Sequence, residues 1–278
     1  MRDLFSTWVF LPLFLLLLVS EASSQDMRGV LDLDSRGLSF SFSRSGKVWM
    51  MTDKGLLYSA SSLNDAWTRE LRVTIPDAGL RRPTSPWFGD VVYVSETDSL
   101  LIVSQGDYFI MREHSKRLLR STDRGKSWSV IPLPRDSTLI CIEADDQGRM
   151  WAGTAYGAIL YSSDEGWTWS VVHAPLTDSS QVTSIMMSDS IHGIAGTTSD
   201  VLNVTADNWK TTRAVKAPRS SDQVRNQVYL LGSTIIVRTL NTYYYCDIDD
   251  AVWHELVPNT GRLALDRGSQ RLLGITSK

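Results

Sequence analysis

Short apolar runs, separated by turn-forming residues, recur along most of the chain. Each run has four to six residues, is rich in β-branched and aromatic types, and is bounded by Gly, Asp or Ser. Examples occupy 47–52, 55–59, 149–154, 157–162, 192–197, 201–205, 234–238 and 243–246. This pattern predicts strands joined by tight turns. After the first two dozen residues no stretch shows a long 3.6-residue period, so we expect very little helix.

An eight-residue phrase recurs among these runs. Residues 121–128 and 162–169 both fit S-x-D-x-G-x-x-W. Its defining positions are Ser121, Asp123, Gly125, Trp128, Ser162, Asp164, Gly166 and Trp169. Weaker copies end at 67, 212 and 253, of which one retains Thr205 and Asp207 and another retains Trp253. The five closing positions are 61, 41, 43 and 41 residues apart, which predicts an array of similar units.

Each unit is predicted to be a sheet of four short antiparallel strands, with the phrase forming the turn before the fourth strand. In such a turn the aspartate accepts backbone N–H bonds, the glycine takes a positive φ, and the last tryptophan wedges against the neighbouring sheet. We therefore interpret Asp123 and Asp164 as structural acids and assign no catalytic residue. Because one such sheet cannot bury both faces alone, radial packing of the sheets is expected, which gives an all-β propeller.

The phrase resembles the Asp-box, or BNR repeat, of β-propellers. That repeat is found in sialidases, sortilin-type receptor ectodomains, xyloglucan-active hydrolases and photosystem assembly factors. The resemblance covers about residues 38 to 278 and implies a propeller of four-stranded antiparallel blades. It implies no single function, because such propellers have unrelated activities.

Five complete units are predicted at 38–75, 88–134, 138–175, 181–218 and 223–258. The runs at 262–266 and 270–276 resemble only the first two strands of a sixth unit. Residues 27–34 can supply a closing strand from the other end of the chain. We expect six blades with a composite last blade; a five-bladed ring and a chain cut short of a larger ring are the alternatives.

The amino-terminal residues 1–24 are interpreted as a secretory signal peptide. Residues 8–19 form an apolar run interrupted only by Pro12, and small residues at 22–24 permit cleavage before Gln25. The run is shorter than the roughly 20 residues needed to span a bilayer. We therefore expect a secreted or periplasmic protein with no membrane span after cleavage, and one propeller domain at 25–278.

Composition and charge restrict the partners and cofactors. The chain has 28 basic and 31 acidic residues, a formal net charge of −3, so nucleic acid is not an expected partner. The four histidines are isolated, and neither a metal site nor a cofactor site is predicted. Cys141 and Cys246 are either buried thiols or, in an exported protein, a disulfide.

Additional residues in the second unit provide a candidate ligand site. About 20 extra residues lie in the connection 76–88 and in the hairpin 108–117. The candidate ligand-binding residues there are Arg81, Arg82, Trp87, Tyr108, Arg112 and Arg117. Further basic residues of this unit are Lys116, Arg120, Arg124 and Lys126. A guanidinium cluster beside aromatic rings can bind an anionic sugar or a carboxylate-bearing partner. Alternatively, both insertions are solvated loops that only decorate the rim.

Trp167 occupies a variable position of the phrase. Its side chain is expected to point outward, where it either stacks on a sugar or a partner or covers the adjacent hairpin. A sialidase would need an arginine trio, a tyrosine–glutamate pair and an acid or base aspartate. No such trio can be assigned. The leading hypothesis is an exported, noncatalytic propeller that binds a protein or a carbohydrate through its loop rim. The alternatives are a sialidase-like glycoside hydrolase and an assembly factor for a membrane complex.

Overall fold

A computed structural model of the protein describes most of the repeat region. The described residues are 38–42, 47–52, 55–61, 65–73, 86–94, 101–107, 117–134, 137–145, 147–174, 180–218, 227–238, 242–250, 252–258, 261–266 and 271–276. In these ranges the chain forms strands and turns, as the short apolar runs predicted. No helix in them is long and apolar enough to cross a bilayer. The predicted signal peptide and the predicted closing strand 27–34 lie outside the described residues.

The described strands form six antiparallel sheets. Sheet 1 contains β1 (Leu38–Phe42), β2 (Val48–Thr52), β3 (Leu56–Ala60) and β4 (Thr68–Arg72). Sheet 2 contains β5 (Pro86–Val94), β6 (Leu101–Asp107), β7 (Arg117–Ser121) and β8 (Ser129–Ile131). Sheet 3 contains β9 (Leu139–Ala144), β10 (Met150–Thr154), β11 (Ile159–Ser162) and β12 (Ser170–His173).

The remaining sheets continue this order. Sheet 4 contains β13 (Val182–Met187), β14 (Gly193–Thr197), β15 (Val201–Thr205) and β16 (Arg213–Lys216). Sheet 5 contains β17 (Gln227–Leu231), β18 (Thr234–Arg238), β19 (Thr242–Asp247) and β20 (His254–Pro258). Sheet 6 contains β21 (Gly261–Asp266) and β22 (Arg271–Thr276). The four-stranded antiparallel units predicted from the repeat are confirmed.

Successive sheets pack against each other through their first strands. β1 lies against β5, β5 against β9, β9 against β13, and β13 against β17. Within each four-stranded sheet, every strand pairs with the next one along the chain. This is the radial arrangement of a β-propeller, and the all-β propeller class is confirmed. The composite sixth blade depends on residues 27–34 and stays a prediction.

The core consists of apolar layers between neighbouring sheets. In β10, Met150 and Ala152 belong to the layer shared with sheet 2, whereas Trp151 belongs to the layer shared with sheet 4. In β14, Ala195 belongs to the layer shared with sheet 3, whereas Ile194 belongs to the layer shared with sheet 5. Alternate residues of one strand are therefore buried on opposite faces. That is why the second strands read as continuous apolar runs rather than as alternating ones.

Gly153 permits sheets 3 and 4 to approach closely. A Cβ atom at this position would lie 2.4 Å from Cγ1 of Val182 and 2.8 Å from Sγ of Cys141. Any side chain here would push the inner strands of the two sheets apart.

The two cysteines are not joined in a disulfide. Cys246 is fully buried in the layer between sheets 4 and 5. Cys141 is half-buried, with its Sγ 3.7 Å from the carbonyl oxygen of Val182. Of the two alternatives left by the sequence, the structure therefore has separate thiols.

Candidate functional site

Three turns, here called the acid turns, connect the third and fourth strands of sheets 2, 3 and 4; they comprise 121–128, 162–169 and 205–212. In the first, the Asp123 carboxylate accepts bonds from the Ser121 hydroxyl (2.8 Å), the Ser127 N–H (2.9 Å) and the Ser127 hydroxyl (2.6 Å). The Asp164 carboxylate of the second turn accepts the equivalent three bonds from Ser162 and Thr168. Each carboxylate is thus occupied by its own turn.

The third acid turn keeps the same bonds with different residues. Asp207 accepts from the Thr205 hydroxyl at 3.0 Å and from the Thr211 N–H at 2.9 Å. Trp209 occupies the position that glycine has in the other two turns, with a φ of 65°. Its indole is fully buried between sheets 3 and 4, and its Nε1 donates to Met187 Sδ at 3.2 Å. Burial of the indole offsets the cost of a left-handed backbone.

Hydrogen bonding keeps these turn carboxylates ionised. Bonds from Ser127, first from its hydroxyl, lower the pKa of Asp123 to about 2. Bonds from Thr211, first from its backbone N–H, lower the pKa of Asp207. Partial burial acts to raise the pKa of Asp164, but bonds from Thr168 and Ser162 outweigh it and lower that pKa. A general acid at neutral pH needs a raised pKa, so these three carboxylates are unsuited to that role.

The closing tryptophans secure the turns and the sheet contacts. The indole N–H groups of Trp128 and Trp169 each donate to the carbonyl of their own turn glycine at 3.1 Å. Trp169 also packs against the apolar layer between sheets 2 and 3. Trp253 of sheet 5 crosses to sheet 4, where its Nε1 donates to the Lys216 carbonyl at 2.8 Å.

Topology divides the turns between two ends of the sheets. In an antiparallel meander, the turn after the first strand and the turn after the third strand lie at the same end. We call this the acid-turn end, and the other the opposite end. The connection from one sheet to the next leaves from the opposite end, as does the turn between the second and third strands.

The structure does not gather all of the predicted ligand-binding residues. Trp87 pairs with Gly106, and Arg117 pairs with Gln105, so both lie at the opposite end of sheet 2. Trp167 lies in an acid turn of sheet 3. Arg81, Arg82, Tyr108 and Arg112 lie outside the described residues. The two insertions therefore leave sheet 2 at one end, while Trp167 is at the other.

Trp167 is 48% exposed and rests on an arginine of the neighbouring sheet. The guanidinium carbon of Arg120, in β7, lies 4.1 Å from the centroid of the Trp167 ring. Arg120 itself is only 3% exposed; its Nε donates to the Glu165 carbonyl at 2.9 Å and its Nη2 to the Glu165 carboxylate at 3.2 Å. These contacts fix the orientation of an exposed indole, of which one ring face is covered.

A cleft of about 880 Å³ opens at the acid-turn end of sheets 3, 4 and 5. Met186, Met187 and Leu230 contribute apolar atoms from the ends of the inner strands, and Ile248 contributes from the last turn of sheet 5. Polar lining comes from the turns after the first strands: Asp145, Gln147, Arg149, Ser188, Asp189, Ser190, His192 and Ser233.

Three large apolar side chains are exposed at the end of the sheets where this cleft opens, one in each of three successive sheets. They are Trp167 in sheet 3 (48% exposed), Ile191 in sheet 4 (43%) and Val252 in sheet 5 (56%). All three lie in turns at the acid-turn end. Together with the apolar lining of the cleft, they give this end of the sheets apolar surface that a partner can bury.

Sequence reasoning did not find the cleft or the role of Arg120. The turn acids were recognised only as turn residues, and the cleft exists because three separate sheets bring their turns together. Arg120 did leave a signal. The residue before the turn is apolar or aromatic in the next two units, Tyr161 and Val204, so a charged residue in that strand position suggests a special partner.

Comparisons with known proteins support the fold and leave the family open. No protein-family model matches the sequence, and no curated protein matches it significantly. Solved structures do match. One is YCF48 from Cyanidioschyzon merolae, with 15% identity and a TM-score of 0.54; the match covers 88% of this chain and 73% of that chain. A structure of YCF48 bound to D1 peptide has 17% identity and a TM-score of 0.55 over 83% of this chain and 71% of that chain.

A GH74 enzyme from Niastella koreensis is also similar, with 14% identity and a TM-score of 0.55 over 78% of this chain. This chain spans only 36% of the length of that enzyme. At such identities the likeness concerns the fold alone. Together with the sheet topology, it defines the class of the protein as a β-propeller.

Proposed function

We propose that this protein is an exported, noncatalytic β-propeller that binds a protein partner at the acid-turn end of sheets 3 to 5. The observation that carries the proposal is that three exposed apolar side chains, Trp167, Ile191 and Val252, lie in turns at the end of the sheets where the cleft opens. Aromatic and aliphatic anchors around a concave surface are the usual source of binding energy in protein interfaces.

The position of Trp167 supports its role as an anchor. Arg120 and Glu165 hold its indole in place before any partner arrives, so little conformational entropy is lost on binding. The YCF48 structure with its bound peptide is consistent with a protein ligand on a similar fold. The alternative of an assembly factor agrees with this proposal if the protein partner is a subunit of a membrane complex.

The acid turns support a noncatalytic role. The aspartates that recur along the chain are the obvious candidates for general acids or bases. Asp123, Asp164 and Asp207 are each engaged by hydrogen bonds within their own turn, and their pKa values are lowered. We therefore assign them to structure rather than to hydrolysis.

The experiment screens the purified protein on an array of 12-residue peptides and on a glycan array. Peptides are expected to bind, with at least fivefold weaker binding after Trp167→Ala or Ile191→Ser. Val171→Ser is the matched control, since Val171 is 51% exposed but lies on the outer strand β12. Binding of glycans alone, or equal loss in the control, would reject the proposal.

A hydrolysis assay tests the glycoside hydrolase alternative, because a GH74 enzyme has a similar fold. Fluorogenic sialosides and xyloglucan oligosaccharides are incubated with the protein and with its Arg81→Ala and Arg82→Ala variants. We expect no turnover. Turnover that depends on either arginine would favour the hydrolase and contradict the noncatalytic role.

Export is tested separately. We propose that residues 1–24 direct secretion to the periplasm or the medium and are then removed. Mass spectrometry of the protein recovered outside the cytoplasm is expected to give Gln25 as the first residue. A cytoplasmic protein that retains Met1 would contradict this.

A further inference from the structure

The turns at the acid-turn end of sheets 3 to 5, where the cleft opens, carry an excess of negative charge. Among the described turn residues of sheets 3 to 5 at the acid-turn end, the carboxylates are Asp145, Asp164, Glu165, Asp189, Asp207, Asp249 and Asp250. The cations there at neutral pH are Arg149 and Lys210. At the strand ends, Asp247 of β19 adds a further carboxylate and Arg213 of β16 adds a further cation, whose Nη2 donates to the Ile248 carbonyl at 2.6 Å. This distribution contrasts with the near balance of the whole chain.

Hydrogen bonds keep two of these carboxylates, Asp189 and Asp247, ionised. Partial burial acts to raise the pKa of Asp189, but hydrogen bonds from the His192 and Ile191 N–H groups outweigh it and lower that pKa. A backbone bond from Asp249, with a bond from the Ser233 hydroxyl, lowers the pKa of Asp247. Their negative charge is therefore present throughout the neutral range.

Charged and apolar side chains line the same cleft. Met186 and Leu230 line its apolar part, and Asp189 and Asp145 lie in its wall, where Asp145 is paired with Arg149. The exposed Ile191 is two residues after Asp189 in the chain. A polyanion such as nucleic acid or a sialylated glycan would be repelled here. A ligand that matches this surface must offer both apolar groups and positive charge.

The dimensions fit an extended segment. The cleft crosses three sheets, and packed sheets lie about 10 Å apart, so it is about 20 Å long. An extended chain advances about 3.3 Å per residue, so about six residues fill that length. Side chains of an extended segment alternate in direction, which matches a surface that mixes carboxylates with apolar groups.

We infer that the cleft at the acid-turn end of sheets 3, 4 and 5 binds an extended protein segment in which basic and apolar residues alternate. The inference rests on the proposed function and specifies its partner. Apolar side chains pack on the methionines and on Ile191, and the basic side chains face the turn carboxylates. Complementary charge also accelerates the encounter, and this contribution decreases with salt.

The experiment uses two fluorescein-labelled peptides of 12 residues. One alternates lysine with valine and isoleucine, and its twin has glutamate in place of each lysine. Fluorescence anisotropy is measured with the full protein at 50 mM and 500 mM NaCl. The lysine peptide is expected to bind at least tenfold more tightly than the glutamate peptide at low salt. High salt is expected to remove most of that difference.

Two substitutions of opposite charge at one position separate electrostatics from structure. Gln147 lines the cleft, is exposed, and contributes only its backbone N–H to the Asp145 turn. Gln147→Glu is expected to tighten binding of the lysine peptide, and Gln147→Lys to weaken it, each on the order of threefold at low salt. Asp65→Asn, an exposed carboxylate in sheet 1, is the control and is expected to leave affinity unchanged.

Each outcome decides between the claims. Equal effects of the two Gln147 substitutions, or equal affinity for both peptides, would overturn the inference. If the glutamate peptide binds and Ile191→Ser abolishes its binding, the proposed function survives and the inference about charge fails. If Ile191→Ser changes the binding of neither peptide and the peptide array is also negative, both the proposed function and the inference about charge fail.

Discussion

Arg120 of sheet 2 donates two hydrogen bonds to Glu165 of sheet 3, one to its carbonyl and one to its carboxylate. Glu165 holds the required position with a φ of 56° in the acid turn. The guanidinium is buried, whereas the Glu165 side chain is 56% exposed. Burial lowers the pKa of Arg120, while the charges of Glu165 and Asp164 raise it. The side chain of Arg120 therefore connects two consecutive sheets.

This relationship predicts measurable coupling between the two residues. Urea unfolding of Arg120→Met, Glu165→Gln and the double variant forms a double-mutant cycle. We expect a coupling free energy of about 1 kcal/mol, less than for a fully buried pair because the glutamate is half exposed. A coupling near zero would show that the two sheets do not depend on this contact. Lys126→Met, an exposed change in the acid turn that follows Arg120, serves as the control for loss of a cation.

The acid turns predict loss of stability at low pH. The pKa of Asp123 is about 2 in the folded protein, below its ordinary value of about 3.9 in an unfolded chain. Its stabilising contribution is therefore complete above pH 4 and is lost as the pH falls through about 2. Urea midpoints at pH 7, 4, 3 and 2 should decrease progressively. Asp123→Asn should decrease less steeply, and an identical slope would contradict the assignment.

Substitution of Trp209 would change backbone strain and core packing in opposite directions. Trp209→Gly would relieve the left-handed backbone, worth about 1 kcal/mol, but would remove a fully buried indole, worth about 3–5 kcal/mol. We therefore expect a net loss of about 3 kcal/mol in the free energy of unfolding. Asn208→Gly is the companion variant, since it removes the acceptor of the Trp151 N–H at 2.7 Å but leaves the core filled. A Trp209→Gly protein as stable as the parent would disprove the account.

The two thiols should differ in reactivity. Burial, assisted by the charges of Asp250 and Asp247, raises the pKa of Cys246 to about 12. Thiolate is the reactive form, so Cys246 should resist iodoacetamide at pH 8 in the native protein. Mass spectrometry is expected to show its modification only after unfolding in urea, whereas the half-buried Cys141 is modified first. Rapid native modification of Cys246 would mean that the layer between sheets 4 and 5 opens readily.

The strands and turns could be predicted from the sequence because their signals are local. A turn needs a particular residue at a particular position, such as the hydroxyl of Ser162 two residues before Asp164. The same local chemistry repeats along the chain, so one recognised unit locates the others. In sheet 3, β10 and β11 begin within two residues of the apolar runs at 149–154 and 157–162 that predicted them.

The candidate site could be predicted only in part. The exposure of Trp167 agrees with its place at a variable turn position, but its stacking on Arg120 depends on which sheet lies alongside. Residues 120 and 167 belong to different repeats, and no short-range pattern links them. The sequence showed no relation between Trp167 and the ligand-binding residues predicted in the two insertions, and the topology places Trp167 at the other end of the sheets from Trp87 and Arg117.

The sequence by itself determined the repeating unit, its four strands and the hydrogen-bonded acid turns, because these depend on residues only a few positions apart. Tertiary structure alone decided which turns share an end and which side chains meet across sheets. It also formed the cleft from Asp145, Asp189 and Leu230, which belong to three different sheets. The physical reason is that packing of sheet on sheet is set by the shapes of whole buried faces, such as the space left by Gly153 for Val182.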